Sequence, residues 1–437
     1  MATNNALRVA IAGVGTVGGG IAQILSSNAQ VLAARCRGRE IQLVAVADQR
    51  PLAELSAELQ GHNLVSHYDD AVKMVHDEDL DVVVETMGGY SVSKTMCEAA
   101  LHKGISVVTA NKALLAVHGK ALTTIAERNN ATIGWEAAVG GGIPCIRALR
   151  QGCAANNVEY AAGILNGTCN FILTTMKETG RDFDDVLNEA QALGYAETPP
   201  DLDVDGIDTA HKISLVASVA TGYLPSFDTV HTEGIRSISG EDVNLAARLN
   251  HSIKLLGIAS TTTSQDGQTK SVLQRVHPAL IPNDTSLGST HGVLNALYTL
   301  GDFVGPVFSQ GPGAGREATA SACVADLMDI ALDNTVPTFG LPIDDMPEMK
   351  SVTMDERIGQ YFIRFNTEAD RGDVVRSLET AGVSYDKHAE EEGSKGNEGQ
   401  RCIITNDVQE NIIMPVIKQE MESGKIQGVP IRVEGPW

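Results

Sequence analysis

The sequence predicts an α/β protein with three parts: a doubly wound parallel sheet, an α+β domain and a small C-terminal module. In the first 140 residues, short runs rich in Val, Ile and Ala alternate with helically spaced segments. From about residue 145 this alternation gives way to a long helical stretch at 205–221, polar loops and strand-like segments. Beyond a stretch rich in Pro, Asp and Met at 338–353, the pattern predicts β-α-β-β-α-β.

The N-terminal strands are continuous apolar runs, which is typical of a parallel sheet covered by helices on both faces. Ligands of such sheets bind beyond the carboxyl ends of the strands. We therefore expect functional residues in the loops that follow the strands. The strands are predicted at 7–13, 41–48, 81–86, 105–110 and 131–137, and the intervening helices at 18–26, 51–59, 92–102 and 120–128.

Composition and charge exclude several classes of protein. The 437 residues carry a formal net charge of −22 and lack basic runs, so nucleic acid and anionic membranes are not expected partners. The chain lacks an apolar run of about 18 residues, so a membrane span is not expected. Its N-terminus is polar, so secretion is not expected either. Seven scattered cysteines fit a reducing compartment, and we expect a cytoplasmic protein.

A dinucleotide-binding fingerprint, G-x-G-x-x-G, lies between the first strand and the first helix. Its glycines allow a tight turn and close approach to a pyrophosphate, as in a Rossmann-type domain. At the end of the second strand, Asp48 is placed to bind the adenosine ribose of NAD, whereas Arg50 suits the 2′-phosphate of NADP. NAD and NADP therefore both remain open. The fingerprint consists of Gly13, Val14, Gly15, Thr16, Val17 and Gly18.

Three further loops follow predicted strands or precede a helix. Thr86, Met87 and Gly88 are expected near the nicotinamide ribose, and Lys112 at the mouth of the same crevice. A glycine cluster with Gly313 and Gly315 offers backbone N–H groups to an anion or to the nicotinamide, although a plain turn is the alternative.

The densest polar cluster lies between residues 197 and 212. It resembles the start of a calcium-binding loop, but its twelfth position is Lys212 instead of a bidentate Glu, which excludes calcium. Asp208 and Lys212 are four residues apart on one helical face and are predicted to form an ion pair. The pair is either a stabilising surface contact or, since the helix is otherwise apolar, a buried functional one.

Several sequence blocks resemble homoserine dehydrogenase, and their order and spacing match over roughly residues 7–340. The blocks are TANKALLA (109–116), WEAAVGGGIP (135–144), GILNGTCNFI (163–172), EAQALGYAE (189–197), DVDGIDTAHK (203–212) and GPGAG (311–315).

The resemblance implies reversible, NAD(P)-dependent hydride transfer between L-aspartate 4-semialdehyde and L-homoserine, in the biosynthesis of threonine, methionine and isoleucine. It assigns Lys112 and Lys212 to the aldehyde oxygen, one of them handling the proton, and Asp208 to the orientation of Lys212. Glu197 would bind the substrate ammonium with Asp203 nearby. The remainder of the substrate pocket would be Asn166, Gly167, Thr168 and Tyr195.

The resemblance also implies a monovalent cation, Na⁺ or K⁺, and a homodimer or homotetramer. The cation would be bound by Glu136, Val139, Gly141 and Ile143. Two positions depart from the family pattern: Pro199 replaces the usual Asp after Glu197, and Ala318 replaces a usual Pro.

The C-terminal module is similar to an ACT domain, a small-ligand regulatory module, although Asp370-Arg371-Gly372 lacks the usual Pro. The resemblance implies threonine as an effector and predicts that deleting residues 350–437 abolishes threonine inhibition while leaving turnover. The predicted domains are 1–140 for the dinucleotide with a return segment at 312–340, 141–311 for substrate and oligomerisation, and 350–437 for regulation.

Two other functions are compatible with the residues. An acylating aldehyde dehydrogenase acting on the same substrate would need a cysteine nucleophile, with Cys145 and Cys169 as candidates. A non-catalytic sensor of dinucleotide and amino acid would bind both ligands without turnover.

Overall fold

The structure is a computed structural model that describes residues 6–62, 65–263, 270–386 and 401–435. Its N-terminal strands are β1 (Leu7–Ala12), β2 (Ile41–Ala47), β3 (Ser66–Tyr68), β4 (Val82–Glu85), β5 (Ser106–Thr109) and β6 (Ile133–Gly134). They form a parallel sheet in the order β3-β2-β1-β4-β5-β6. This is the strand order of a doubly wound dinucleotide-binding sheet, which confirms the predicted fold class.

The helices of this domain differ from prediction in four places, and two of these are the helices Ala29–Arg35 and Ala71–Asp77, which were not predicted. The last helix begins at Lys112 and not near residue 120, because Asn111 caps it by accepting a hydrogen bond from the Leu114 N–H. The segment predicted as a helix at 51–59 contains only a short 3₁₀ helix, Leu52–Leu55. The helices are α1 (Thr16–Ser27), α2 (Ala29–Arg35), α3 (Ala71–Asp77), α4 (Ser91–His102) and α5 (Lys112–Arg128).

The middle part of the chain combines helices with a second, mostly antiparallel sheet. Its strands are β7 (Val158–Ile164), β8 (His231–Thr232), β9 (His251–Thr263), β10 (Lys270–Pro282), β11 (Leu294–Gly301) and β12 (Gly305–Pro312). Its helices are α6 (Cys145–Arg147), α7 (Gly167–Thr179), α8 (Phe183–Ala192), α9 (Asp201–Val204), α10 (Ile207–Thr221) and α11 (Gly240–Arg248). The chain then returns to the first domain through α12 (Arg316–Ala331), which packs against α1.

The C-terminal module is joined directly to the second sheet. Its elements are β13 (Ile358–Gly359), β14 (Tyr361–Arg364), α13 (Glu368–Thr380), β15 (Cys402–Ile404), β16 (Val408–Gln409), α14 (Glu410–Glu422) and β17 (Ile431–Val433). Strand β17 pairs with β10 in parallel, so one sheet runs in the order β12-β11-β7-β9-β10-β17-β14-β15. The strand predicted at 383–388 is represented by a bridge from Tyr385 to Thr405, and residues 387–388 lie outside the described part.

Helix α10 positions the polar cluster. Its apolar side chains, such as Ile213 and Val216, are fully buried, and the helix packs against α5, β9 and β10. Since α5 begins at the carboxyl end of β5, this packing brings the first turn of α10 to the edge of the parallel sheet.

Over the described ranges, none of the helices combines the length and the apolar character that crossing a bilayer requires.

Candidate active site

The glycine-rich turn has the packing that its sequence pattern requires. Gly13 has a φ of +90°, and a Cβ there would lie 2.8 Å from the Thr86 carbonyl oxygen. A Cβ at Gly18 would lie 2.0 Å from the Gly13 carbonyl oxygen. At Gly15, by contrast, an added Cβ would meet nothing within 4 Å. Two glycines therefore serve tight packing, and the third leaves open space above the start of α1, where a pyrophosphate binds in this type of turn.

Asp48 and Arg50 close this turn together. The Asp48 carboxylate accepts hydrogen bonds from the Val14 N–H at 2.9 Å and from the Arg50 N–H and Nε at 2.9 and 3.0 Å. Hydrogen bonds from Arg50 lower the pKa of Asp48 to about 2. Both residues line a cavity of about 890 Å³ that also contains Thr86 and Met87. The cavity extends from the second strand to the fourth, as an extended dinucleotide requires.

Two lysines that are distant in sequence share one carboxylate. Lys112 is the first residue of α5, and its Nζ lies 3.3 Å from Oδ1 of Asp208 on α10. Lys212, one turn further along α10, donates a hydrogen bond from Nζ to Oδ2 of Asp208 at 2.7 Å. The predicted convergence of the two ammonium groups is therefore present, with Asp208 between them.

The charges of this cluster stabilise one another. Burial alone would raise the pKa of Asp208, but Lys212 and Lys112 outweigh it and hold that pKa well below its usual range. Attraction by Asp208 is also the main reason why the pKa of Lys112 is raised. At neutral pH the cluster therefore contains a carboxylate and cationic lysine, an arrangement that can supply a proton and offset negative charge on a nearby oxygen.

The loop before α7 fixes the carboxylates. The Asn166 Nδ2 donates to Asp203 Oδ1 at 2.8 Å and to Asp208 Oδ2 at 3.0 Å, while its Oδ1 caps α7 by accepting the Cys169 N–H. The Leu165 carbonyl accepts a hydrogen bond from Lys212 Nζ at 2.7 Å. Burial raises the pKa of Asp203, and the Asn166 hydrogen bond opposes this effect.

A cavity of about 410 Å³ opens beside this cluster and adjoins the dinucleotide cavity at Thr86 and Gly88. Its walls contain Lys112 and four carboxylates that face a common space. Its lining includes Lys112, Glu197, Asp203, Asp208, His211, Glu85, Tyr90, Asn111 and Leu202. A small zwitterion with a reacting carbonyl has both cationic and anionic partners here.

The four residues predicted for the remainder of the pocket, Asn166, Gly167, Thr168 and Tyr195, are not among the residues that line this cavity. The Tyr195 ring packs on Phe171 with centroids 5.0 Å apart, and the Tyr195 carbonyl accepts a hydrogen bond from the Thr168 hydroxyl. Gly167 begins α7, where a Cβ would lie 2.7 Å from the Val293 carbonyl oxygen.

Sequence reasoning missed several residues of the cavity. Glu85 ends one buried strand and Asn111 follows another, so the rule of strand ends would have found them. His211 precedes Lys212 on α10, three residues after Asp208, and its ring stacks on Phe227 at 4.3 Å. Helical spacing from Asp208 was the available signal for His211.

The loop predicted to bind a cation is tightly folded. The Glu136 carboxylate accepts hydrogen bonds from the N–H groups of Ile146 at 3.0 Å and Arg147 at 2.8 Å, and burial raises its pKa to about 7. The Val139 carbonyl accepts a hydrogen bond from the Cys145 thiol, and the Ile143 carbonyl accepts one from the Cys145 N–H. The donor set consists of oxygen atoms, which suits a hard cation, but Glu136 is directed to the start of α6.

The second glycine cluster packs against this loop. A Cβ at Gly141 would lie 2.4 Å from the Gly313 carbonyl oxygen, and a Cβ at Gly313 would collide with the Asn295 side chain at 2.0 Å. Gly315 precedes α12 with a φ of +111°. The structure thus gives Gly313 a packing role, while its predicted cofactor contact stays a prediction.

Comparisons with known proteins agree with this geometry. A family model described as homoserine dehydrogenase matches residues 144–328, and one described as homoserine dehydrogenase, NAD binding domain, matches residues 13–136. The homoserine dehydrogenase of Pseudomonas aeruginosa is 40% identical over 399 residues, covering 88% of this chain and 89% of that protein.

Two solved structures are similar over most of the chain. A homoserine dehydrogenase from Thiobacillus denitrificans has a TM-score of 0.88 at 36% identity and covers 98% of each chain. A hyperthermophilic archaeal homoserine dehydrogenase in complex with NADPH has a TM-score of 0.63 at 27% identity, covering 75% of this chain and 98% of that one.

Proposed function

The chain belongs to the homoserine dehydrogenase family, and we propose that it oxidises and reduces its substrate where Lys112, Asp208 and Lys212 meet. It is an NAD-binding oxidoreductase acting on a CH–OH group. The single observation that carries the proposal is the Asp208 carboxylate, which contacts both lysine ammonium groups beside a cavity suited to a small zwitterion.

The residues divide the work of the reaction between them. NAD(P)H held by the glycine-rich turn and by Asp48 or Arg50 would supply the hydride for the aldehyde carbon of L-aspartate 4-semialdehyde, which would leave negative charge on the oxygen. A lysine ammonium offsets that charge and donates the proton that completes L-homoserine. The negative charge of Asp208 would favour the protonated form of the amines, and its two oxygens would fix both amines in position. In the oxidation direction the same lysine, once neutral, accepts the proton.

Glu197 and Asp203 are the proposed partners of the substrate ammonium. Both line the cavity, and Asp203 is held by Asn166 on the side facing Asp208. With its ammonium bound by Glu197 and Asp203, the substrate would be oriented with its carbonyl toward the amines that contact Asp208. Tyr195, Gly167 and Thr168 would maintain the shape of this wall.

The test is a spectrophotometric assay of homoserine oxidation with NAD and with NADP. Lys112→Ala and Lys212→Ala should each lower kcat by about 10²-fold or more, as expected for a group that acts on the transferred proton. Lys120→Ala is the matched control, since Lys120 lies on the same helix as Lys112 with a side chain 60% exposed. Full turnover in both active-site variants would refute the assignment.

The acylating alternative lacks its nucleophile. Cys145 and Cys169 are both buried, and burial raises the pKa of each thiol above its usual value. A thiolate nucleophile needs the opposite environment. A non-catalytic sensor would bind dinucleotide and amino acid without turnover, so turnover in the same assay would exclude this alternative.

We also propose the cation site and the assembly that the family resemblance implies. Carbonyl oxygens of Val139, Gly141 and Ile143, with the charge of Glu136 nearby, would bind Na⁺ or K⁺. Replacing these ions by tetramethylammonium should then lower the Tm of the protein. The proposed assembly is a homodimer or homotetramer in the cytoplasm.

The C-terminal module is proposed to be an ACT-like regulator that responds to threonine, and the division at 1–140, 141–311 and 350–437 is proposed with it. The order β14, α13, β15, α14 and β17, with the bridge at Tyr385, supports this reading. Titration calorimetry with threonine, alongside inhibition assays on the full chain, tests it. Absence of both heat and inhibition would reject the regulatory role.

A further inference from the structure

Glu85 is a fully buried carboxylate that the proposed chemistry does not use. It ends β4 with 0% of its surface exposed and lies in the wall of the substrate cavity. Within the described ranges no lysine or arginine forms an ion pair with it. A buried charge without such a partner is costly unless hydrogen-bond donors surround it.

Three donors surround this carboxylate. Oε1 accepts hydrogen bonds from the Met87 N–H at 3.0 Å and the Ser93 hydroxyl at 2.9 Å. Oε2 accepts one from the Thr109 hydroxyl at 2.7 Å. Both carboxylate oxygens therefore only accept hydrogen bonds, which is the pattern of an ionised carboxylate. Hydrogen bonds to an ionised group are stronger than those between neutral groups.

These bonds join the two loops at the nicotinamide end of the crevice. Met87 belongs to the loop after β4, and Thr109 ends β5. The Thr109 hydroxyl also accepts the Asn111 N–H at 3.0 Å, while the Asn111 amide donates to the Gly89 carbonyl. Since Asn111 caps the helix that begins with Lys112, one network extends from Glu85 to the first turn of the helix that carries this lysine.

From this network we infer that Glu85 is a positioning residue with an electrostatic effect on the cofactor. It holds the Met87 loop and Lys112 in register, and its negative charge favours binding of the oxidised nicotinamide, which is positively charged, over the neutral reduced form. The inference rests on the proposed function, because it takes the nicotinamide to lie beside the loop of Thr86, Met87 and Gly88. Charges interact strongly in a site from which water is excluded, so the effect reaches the ring without contact.

The experiment compares the dissociation constants of the oxidised and reduced cofactors by fluorescence titration. Glu85→Gln keeps the shape and removes the charge, so the constant for the oxidised form should rise about three- to tenfold more than that for the reduced form. Ser93→Ala is the matched control, since it loosens the same carboxylate without removing its charge. In that variant both constants should change by the same factor.

The positioning part is tested by Thr109→Val, which cuts the link to the Lys112 helix and preserves the charge of Glu85. We expect kcat to fall by about tenfold with the ratio of the two dissociation constants unchanged. If Glu85→Gln lacks a cooperative unfolding transition, Glu85→Met, which is of similar size and uncharged, replaces it in the comparison of the two dissociation constants.

Equal changes of both constants in Glu85→Gln, or wild-type kcat in Thr109→Val, would overturn the inference. Failure of the proposed function would be recognised separately. In that case Lys112→Ala and Lys212→Ala would retain turnover, whatever the cofactor ratios are.

Discussion

At the scale of single residues, Asp208 determines the electrostatics of the active site. Each of its carboxylate oxygens contacts one lysine ammonium, at 3.3 Å for Lys112 and 2.7 Å for Lys212. Without this carboxylate the two cations, of which Lys212 is mostly buried and Lys112 half-buried, would repel each other, and one of them would lose its proton more readily. Asp208 therefore controls the pH at which a lysine becomes a base.

Asp208→Asn should move the pH profile of homoserine oxidation to lower pH. Oxidation needs a neutral lysine, and Asp208 raises the pKa of Lys112, so the basic form of the wild type is populated only at high pH. Removing the carboxylate lowers that pKa. The measurement is kcat/KM for homoserine against pH in both proteins. A profile that stays in place or moves to higher pH would contradict the role of Asp208.

Part of this cluster was predictable from sequence. The Asp208–Lys212 pair follows from helical spacing, and the structure shows it to be buried. The contact of Lys112 with Asp208 follows from no local pattern, because it depends on how α10 packs against α5. The family resemblance implied that both amines share one site, but not that Asp208 lies between them.

At the scale of elements, the glycine-rich turn separates packing from ligand binding. Gly18 has no room for a side chain, whereas Gly15 has open space and an ordinary φ of −74°. The pattern G-x-G-x-x-G predicted this turn correctly. The helix α5 begins eight residues before the predicted start, because the Asn111 cap follows strand β5 almost directly. Strand β3, with only three residues, gave no periodic signal.

Gly15→Ala and Gly18→Ala should therefore have opposite effects. Gly18→Ala should lower the free energy of unfolding by roughly 1–3 kcal/mol, since its Cβ would overlap the Gly13 carbonyl. Gly15→Ala should leave stability nearly unchanged and weaken cofactor binding by about tenfold or more, because its methyl group enters the phosphate space. Chemical denaturation and cofactor titration measure the two quantities. Equal loss of stability in both variants would contradict this division.

At the scale of the whole molecule, the C-terminal module is part of the same folded unit as the substrate domain. Glu434 follows β17 and is buried against Arg275 of β10, with Nη2–Oε2 at 3.1 Å, and against Arg357. Its pKa lies well below the usual value because these guanidinium groups outweigh the effect of burial. The sequence indicated the β-α-β-β-α-β order of the module but not this junction, since pairing of β17 with β10 joins distant segments.

The junction changes what deletion of residues 350–437 should do. Removing the module would uncover β10 and leave Arg275, 4% exposed in the intact chain, without its carboxylate. We expect the truncated chain to be destabilised, so retained turnover is no longer the expected outcome. Thermal unfolding of the full chain should show one transition for the substrate domain and the module together. Two well-separated transitions would show that the module is independent.

Glu434→Gln tests the same junction with one atom changed. It should lower the free energy of unfolding by roughly 3–5 kcal/mol at neutral pH, since it leaves buried arginine without a charged partner. Because the folded-state pKa is depressed, this contribution is present above the usual value of 4.5 and disappears as the pH falls below it. Glu422→Gln, on an exposed position of α14, is the control. Denaturation at several pH values measures the difference, and a loss independent of pH would contradict the ionic role.

The most direct test of the central claim is a double-mutant cycle on kcat/KM for homoserine oxidation, with Lys112→Ala, Lys212→Ala and the combined variant. Because both amines act through one carboxylate on one oxygen, we predict that their effects are strongly coupled. The combined variant should lose activity within about tenfold of the more damaged single variant. Losses that multiply in full would show that the two lysines act independently, and would contradict a shared site at Asp208.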